Sequence, residues 1–297
     1  MPRPASRVPH PDPMRKLLLQ LDTSPHPSVF DRIVAHDGGA DEVMSYGGVT
    51  PEAVRDLVHG AIFTRGPKDL RNTAIFIGGT DMAAGERLLK AVRKAFFGPF
   101  TVSVMLDSNG SNTTAVAAVA RLLRTAGASG RAVVTAGTGP VGLRAAGLLA
   151  KAGVEVTFTS RRAVDPGVVD GIQQRFGGRV SHAVMADGAA AAAALEGATM
   201  LLNTGPAGVT LVPKSAWAGR PGLKAAADLN AVPPLGIEGI EVTDNAVERE
   251  GVTVFGALGV GGLKMKIHKA CIARLFERND LILDAETIAE VAAELSK

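Results

Sequence analysis

The sequence predicts a two-domain α/β protein built on parallel, doubly wound sheets. Three observations carry this. Short β-like runs alternate with helical ones from residue 15 onward, the pattern that lays strands side by side under crossover helices. A glycine-rich turn from Gly137 to Gly142 joins a β-branched run to a helix. The breaker Gly127-Ala-Ser-Gly130 divides the alternation into two series and marks a hinge between them.

In the first series, Leu17–Leu21 reads as a strand ending at Asp22, Pro27–Ala35 as a helix and Glu42–Tyr46 as a short strand. Thr50-Pro51-Glu52 opens a helix with a capping hydroxyl, a proline in the first turn and an acid behind it. Asn72–Ile77 is the next strand, closed by Gly78-Gly79. The helix from Asp81 repeats Met82, Leu88, Leu89, Val92, Ala95 and Phe96 at three-to-four spacing and stops at Gly98-Pro99. Thr101–Leu106 is a strand, and Thr113–Ala126 a helix with Val116, Val119, Leu122 and Leu123 along one stripe.

The second series places strands at Arg131–Ala136, Glu155–Thr159, Val180–Met185, Ala198–Asn203, Leu223–Asp228 and Val252–Ala257. Helical stretches separate most of them, and the alanine run Ala189–Ala194 reads as a plain helix. Two helices, Gly262–Glu277 and Asp284–Leu295, close the chain and can return to pack on the first domain.

Composition excludes several classes. A chain of 297 residues, 46% hydrophobic, buries enough surface to need no covalent staple. The lone Cys271 rules out a disulfide framework and multi-cysteine metal sites. Thirty-two basic against 29 acidic residues leave +3, too balanced to argue for nucleic acid, and 4% aromatics give few stacking platforms. No apolar run reaches roughly eighteen residues, so no transmembrane helix is expected. Met1–Pro13 holds five of the 17 prolines and no apolar stretch, so it is no secretory signal. A cytoplasmic protein is expected. Residues 1–14 read as a disordered tail; a targeting arm, or a natural start at Met14, are the alternatives. Glycine is in excess, 35 of 297 or about 12% against a usual level of about 7%. Such an excess suits turns where backbone approaches backbone or ligand.

Val133-Val-Thr-Ala-Gly137-Thr-Gly139-Pro-Val-Gly142 has the G-x-G-x-x-G spacing in the context that gives it meaning. A strand precedes it, a helix runs on to Ala152, and a second strand follows at Glu155–Thr159. This is a Rossmann-type dinucleotide-binding unit. Gly137 is expected to make the tight turn, Gly139 to let backbone reach a pyrophosphate, and Gly142 to let helix pack on strand. Thr138, Pro140 and Val141 rim the helix start, whose free N–H groups face phosphate. NAD readers carry an acid about twenty residues further on. Here stand Ser160-Arg161-Arg162, with no acid before Asp165. Two guanidiniums and a hydroxyl grip a 2′-phosphate through charge-assisted bonds, so NADP is the expected cofactor. Other loops at strand ends are expected along the same crevice: Asn203-Thr204-Gly205-Pro206-Ala-Gly208, Asn230 to Pro234, and Ala257-Leu258-Gly259 to Gly262.

Lys264 is expected in the first turn of the helix after Gly261-Gly262, where a cation opposes the helix dipole by roughly 0.3–1 kcal/mol. It shares a face with His268. A charge so placed reads either as held for a ligand or as a solvated lysine. His268 and Cys271 lie three apart with no further ligand nearby, so no metal is expected. The chain has no H-E-x-x-H, G-x-S-x-G or Walker pattern on which hydrolytic chemistry could stand. Asp107-Ser108-Asn109-Gly-Ser-Asn-Thr-Thr114 lies between a strand and a helix. Capping uses one or two such residues; eight in a row point toward the cleft.

Further strings carry a resemblance: Gln20-Leu-Asp-Thr, Pro27-Ser-Val-Phe-Asp31, Asp37-Gly-Gly-Ala-Asp41, Asp81-Met-Ala-Ala-Gly-Glu-Arg87 and Phe97-Gly-Pro-Phe100. Met105 to Thr114, Ala136 to Gly142, Pro233-Pro-Leu-Gly-Ile237, Phe255-Gly-Ala-Leu-Gly259, Gly261-Gly-Leu-Lys264 through His268, and Ala270-Cys-Ile272 complete it. From about residue 15 to the C-terminus the chain resembles the bacterial NADP-dependent methylene-tetrahydromethanopterin / methylene-tetrahydrofolate dehydrogenases of one-carbon metabolism.

The resemblance implies a pterin domain over residues 15–127 joined by about 265–297, an NADP-binding domain over 128–264, C-terminal helices returning to the cleft, and a homo-oligomer. It implies a hydride passed to NADP+ from the methylene carbon between two pterin nitrogens, leaving a methenyl cation. No proton moves in that step, so no acid–base dyad is needed. Orientation of two rings in a closing cleft, with acceptors near the developing charge, would carry catalysis. Lys264 matches the family's active-site lysine, and Asp107 is the acceptor of choice; these are the candidate catalytic residues. Asp22, Tyr46, Ser108, Asn109 and His268 are the candidate substrate contacts, Asp22 also being a candidate acceptor. A cation beside a forming cation is unhelpful, so Lys264 is assigned to a pterin oxygen. Two rivals stand beside this reading. One is another two-domain NADP oxidoreductase of small hydroxy or keto acids, with Lys264, His268 or Tyr46 as proton donor. The other is a non-catalytic NADP-binding sensor.

Overall fold

A computed structural model describes residues 14–295. The tail expected before Met14 lies outside the described residues. In chain order the first series forms β1 (Leu17–Asp22), α1 (Val29–Asp37), β2 (Glu42–Tyr46), α2 (Val54–Ile62), β3 (Thr73–Gly78), α3 (Met82–Ala95), β4 (Ser103–Leu106) and α4 (Ser111–Ala126). The second forms β5 (Arg131–Thr135), α5 (Pro140–Lys151), β6 (Glu155–Ser160), α6 (Pro166–Phe176), β7 (Val180–Val184), α7 (Ala191–Ala194), β8 (Met200–Asn203), α8 (Lys214–Trp217), β9 (Ala225–Asp228), β10 (Asn245–Arg249) and β11 (Val252–Phe255). The chain closes with α9 (Ala257–Leu275), β12 (Ile282–Leu283) and α10 (Ala285–Glu294).

Local chemistry sets the helix starts. Ser28 accepts from the Asp31 N–H to cap α1, and Asp81 accepts from two N–H groups to cap α3. Asp284 and Thr287 form a reciprocal capping box on α10.

The strands build two sheets. The first runs β12-β4-β3-β1-β2, all parallel. The second runs β10-β11-β9-β8-β5-β6-β7, parallel except for the β10–β11 edge. Strand order reverses between β1 and β3 in one sheet and between β5 and β8 in the other. At such a switch point the crossover helices diverge and leave a crevice beyond the carboxyl ends of the strands. Both candidate sites lie at these two points.

One hydrophobic cluster joins the sheets. It holds Leu18, Phe76 and Met105 from the first, Val134, Val156 and Leu202 from the second, and the apolar sides of α4, α5, α9 and α10 between them. Separate clusters cover the outer faces, one around Leu21, Ile75 and Leu88, the other around Val133, Leu201 and Trp217. Among the described residues no helix is long and apolar enough to cross a membrane.

Several expected elements differ. The last long helix begins at Ala257, not Gly262, because the glycines that read as a loop are wound into its first turns. The alanine run makes only a 3₁₀ turn and the single-turn α7. Two strands were not expected, β12 and the exposed edge strand β10. β12 is two residues long, and β10 (NAVER) has no strand-like alternation of apolar and polar residues.

Candidate functional site

The cofactor-type crevice opens at the β5/β8 switch point. The tight turn after β5 places its positive φ at Ala136 (50°), not at Gly137. Gly137 is needed for space instead: a Cβ there would stand 2.7 Å from Phe158 Cβ. The Gly137 N–H donates to the Thr159 carbonyl (2.8 Å), tying the turn to β6. A Cβ on Gly142 would meet Gly137 Cα at 2.5 Å, so the start of α5 sits directly on the turn. Gly139 differs from both. It caps α5, and a Cβ there meets nothing within 4 Å, so the space beside it is open. Pro140 occupies the first helical position, where its missing N–H costs nothing, and Val141 follows it.

A cavity of about 600 Å³ lies over this turn, and its walls include Thr138, Ser160, Arg161, Arg162, Thr204 and Pro206. Both arginines are exposed, and no carboxylate is among its lining residues. Ser160 is engaged: its hydroxyl donates to the Arg162 carbonyl (2.5 Å) and lies 2.7 Å from His182 Nε2. Thr204 donates to the carbonyls of Thr135 and Ala136 and so fixes the turn from the β8 side.

Other expected cofactor contacts are spent inside the fold. Asn203 is buried; it donates to Asp228 (2.7 Å) and accepts from Thr135 Oγ1 and the Gly205 N–H. Gly205 makes room for Leu211. Asn230 donates to the carbonyls of Pro206 and Pro234, knotting the 230–234 loop to the 203–208 loop. Ala257, Leu258 and Gly259 form the first turn of α9 and do not line the cavity. Leu258 is exposed, and a Cβ on Gly259 would collide with the Asp244 carbonyl.

The second crevice opens at the β1/β3 switch point and holds about 330 Å³. Asp22 ends β1, buried, and its two oxygens accept from the N–H groups of Ser24 (2.8 Å) and Ser28 (3.1 Å), which folds the loop between them. After β4 the chain turns through Asn109 (φ 54°) and Gly110 (φ 58°), both left-handed. The Asn109 N–H donates to Gly79 (2.6 Å), bringing the two loops together. Lys264 reaches in from α9. Its Nζ lies 4.8 Å from the centre of the Phe30 ring and would be 2.9 Å from a Cβ at position 110, so glycine there makes room for the ammonium. Lys264 is the eighth residue of α9, too far along for the helix N-terminus to oppose its charge. The expected dipole penalty is therefore corrected.

Two carboxyls lie within electrostatic reach of that ammonium. Asp31, in the first turn of α1, lines the crevice; burial raises its pKa, against the Ser28 hydroxyl and the Lys264 charge. Asp107 is fully buried and does not line the crevice. It accepts from the N–H groups of Asn112 and Thr113 and from Thr113 Oγ1 (2.6 Å), capping α4. Burial pushes its pKa up to about 6, with Lys264 pulling the other way.

Of the remaining candidates, Asn109 and Asp22 line the crevice. Ser108 is buried and donates to the Gly78 carbonyl (2.9 Å). Tyr46 is exposed at the end of β2 and outside the lining. His268 is buried behind the crevice, stacked on Phe76 at 5.5 Å, with neither ring nitrogen hydrogen-bonded. Burial, aided by Lys264, lowers its pKa to about 3, so the ring is neutral. Burial likewise pushes the Cys271 thiol up to about 12, which leaves it inert.

Sequence reasoning gave no role to Phe30, Asp31 or Arg144. The first two sit in a Ser28-x-x-Asp31 capping pattern that reads as helix chemistry. Arg144 lay hidden inside an otherwise apolar helical face. The first crevice can hold a phosphorylated dinucleotide. The second offers an aromatic face, an ammonium, a carboxyl and backbone amides to a flat, polar-edged ring.

Comparison with known proteins bears on both. Residues 29–109 match the family model described as methylene-tetrahydromethanopterin dehydrogenase, N-terminal. The chain is 51% identical over 286 residues to the bifunctional protein MdtA of Methylorubrum extorquens, covering 95% of this chain and 99% of that one. It is 32% identical over 311 aligned residues to the NAD(P)-dependent methylenetetrahydromethanopterin dehydrogenase of the same organism, with the same coverage. Among solved structures it resembles shikimate 5-dehydrogenase from Listeria monocytogenes in complex with shikimate and NAD. The TM-score is 0.52 at 13% identity, over 93% of this chain and 96% of the other. That last likeness is one of fold.

Proposed function

The chain belongs to the methylenetetrahydromethanopterin dehydrogenase family, and we propose that it passes a hydride from methylene-tetrahydromethanopterin, methylene-tetrahydrofolate or both to NADP+. The observation that carries the cofactor half is the cavity at the β5/β8 switch point, with Arg161 and Arg162 on its wall and no carboxylate in its lining. An acid there would repel a 2′-phosphate; two guanidiniums attract one. The open space over Gly139 and the free N–H groups of α5 fit a pyrophosphate. NADP+, when bound, supplies the hydride acceptor.

The chain's own residues orient and stabilise. Phe30, Asp31, Asn109 and Lys264 hold a pterin ring by its face and polar edges. Loss of hydride leaves a cation on the substrate, and the charges around the crevice favour it. Lys264 alone would oppose that cation, but Asp22, Asp31 and Asp107 lie within electrostatic range of one another or of the ammonium. With the carboxyls ionised, the cluster is net negative. Lys264 can then bind a pterin oxygen without setting the sign of the field.

The division of labour we propose follows the two sheets. Residues 15–127, with about 265–297, carry the pterin, and 128–264 carry NADP. β12 pairing with β4 supports the return of the C-terminal segment. The hydroxy-acid alternative needs a proton donor in the crevice, and Lys264 is the only one of its three candidates among the lining residues.

The test is NADPH formation, followed by its near-ultraviolet absorbance, with purified protein, formaldehyde and either tetrahydromethanopterin or tetrahydrofolate. NADPH is expected with at least one pterin, and much slower turnover with NAD+. No NADPH with either pterin would refute the proposal.

A further inference from the structure

One buried arginine joins the two crevices. Arg144 lies on the second turn of α5, the helix that begins at the cofactor turn, and its side chain is 7% exposed. Its guanidinium reaches three places at once. Nη1 donates to the Pro140 carbonyl at the start of its own helix (3.1 Å), Nε to Asn112 Oδ1 at the start of α4 (2.5 Å), and Nη2 to Glu86 on α3 (2.7 Å). Asn112 passes the connection on. Its side-chain amide donates to the Leu106 carbonyl (2.6 Å) and its N–H to Asp107 (2.9 Å). The Asp107 carbonyl in turn accepts from the Gly110 N–H (2.8 Å), in the loop that makes room for Lys264. Hydrogen bonds thus run unbroken from the cofactor turn to the floor of the pterin crevice.

We propose that Arg144 is a positioning residue: it locks the cofactor turn to the 107–110 loop, so that a bound dinucleotide fixes the loop against which the pterin sits. This rests on the proposed function. A simple stabilising ion pair is a poor account of the arrangement, because a buried charge pair adds little net stability. A planar fork with donors in fixed directions is what holding three elements in register requires, and a lysine cannot reproduce it. Hydride transfer is sensitive to such register, since a misplacement of about 1 Å costs on the order of 100-fold in rate.

The test uses the full chain and its Arg144→Met, Arg144→Lys and Glu86→Gln variants. NADP+ binding is measured by calorimetry, amide hydrogen exchange of residues 107–113 with and without NADP+, and hydride transfer in single turnovers with methylene-tetrahydromethanopterin. In the wild type NADP+ is expected to slow exchange across 107–113. In Arg144→Met that protection is lost and the single-turnover rate falls by roughly 100-fold, while the NADP+ Kd changes by less than about threefold. Arg144→Lys recovers part of the rate. Glu86→Gln, at a half-exposed position where the carboxylate also meets Arg175 (3.2 Å), loses a smaller part, and it decides the matter if Arg144→Met does not fold. Equal protection in wild type and variant, no protection in the wild type, or rates unchanged across the variants would overturn the proposal. A wild type that binds NADP+ but oxidises no pterin refutes the proposed function alone, with the exchange arm still deciding Arg144. A flat NADP+ titration of the wild type overturns both.

Discussion

Asp107 shows how a single side chain can serve the fold at one pH and strain it at another. Its three hydrogen bonds cap α4, yet full burial raises its pKa from 3.8 to about 6. The folded chain therefore holds a proton there, between about pH 4 and pH 6, that the unfolded chain releases. Stability from this group is fully present below about pH 4 and is lost as pH rises through about 6, by at most about 3 kcal/mol. Asp107→Asn keeps an acceptor for the two N–H groups and cannot titrate. In urea unfolding at pH 4.5 and pH 7, wild type should lose stability relative to this variant as pH rises; parallel behaviour would contradict the assignment. The same residue marks what the sequence can and cannot disclose. Asp22, Asn109 and Lys264 stand out in the sequence as polar residues at strand ends or beside glycines, and they line the crevice. Asn203, Asn230, Ser108 and Asp107 met the same description, but their own loops consume their hydrogen bonds. Residue type and position do not reveal whether a polar group has atoms to spare.

At the scale of elements, the glycine turn and α5 divide the work between fold and ligand. The glycines of one motif have opposite steric surroundings: Gly142 presses on Gly137, whereas Gly139 faces open space. Gly139→Ala adds a methyl group at φ −75°, which any residue adopts, and should fold with an unchanged melting temperature. The same methyl group stands where a pyrophosphate would approach, so NADP+ affinity should fall at least about tenfold, read by calorimetry. A variant that binds NADP+ normally would detach Gly139 from the cofactor. Gly142→Ala should instead lower the melting temperature, because its methyl group meets backbone that cannot yield. The strand–turn–helix context made this element legible in advance. The start of α9 was not legible. Its glycines look like a loop by propensity, but tertiary packing winds them into helix, with the Gly259 face set hard against the Asp244 carbonyl. β12 was hidden for a different reason: two residues carry no periodicity, and β4 alone makes them a strand.

At the scale of the molecule, the question is whether the two sheets behave as separate bodies about the Gly127–Gly130 breaker. Both breaker glycines have positive φ, 83° and 91°, as a bend between elements requires. The chain crosses between the sheets a second time, through α9, to reach β12. Its side chains then share one core with α4, α5 and α10, so neither inner sheet face is covered without the other half. A hinge at the breaker would have to shear that core, and close packing resists shear. Domains that unfold independently need cores of their own. Trp217 provides a local reporter, because it is buried in the outer cluster on the second sheet, away from the shared core. Its fluorescence in a urea titration should therefore change together with the far-ultraviolet circular dichroism of the whole chain, giving a single transition. NADP+ should move both curves to higher urea by the same amount, since a ligand of the folded state stabilises everything that unfolds with its site. A fluorescence transition that runs ahead of the dichroism, or a shift by NADP+ confined to one of them, would mean that the second sheet unfolds by itself and that the shared core does not couple the two crevices.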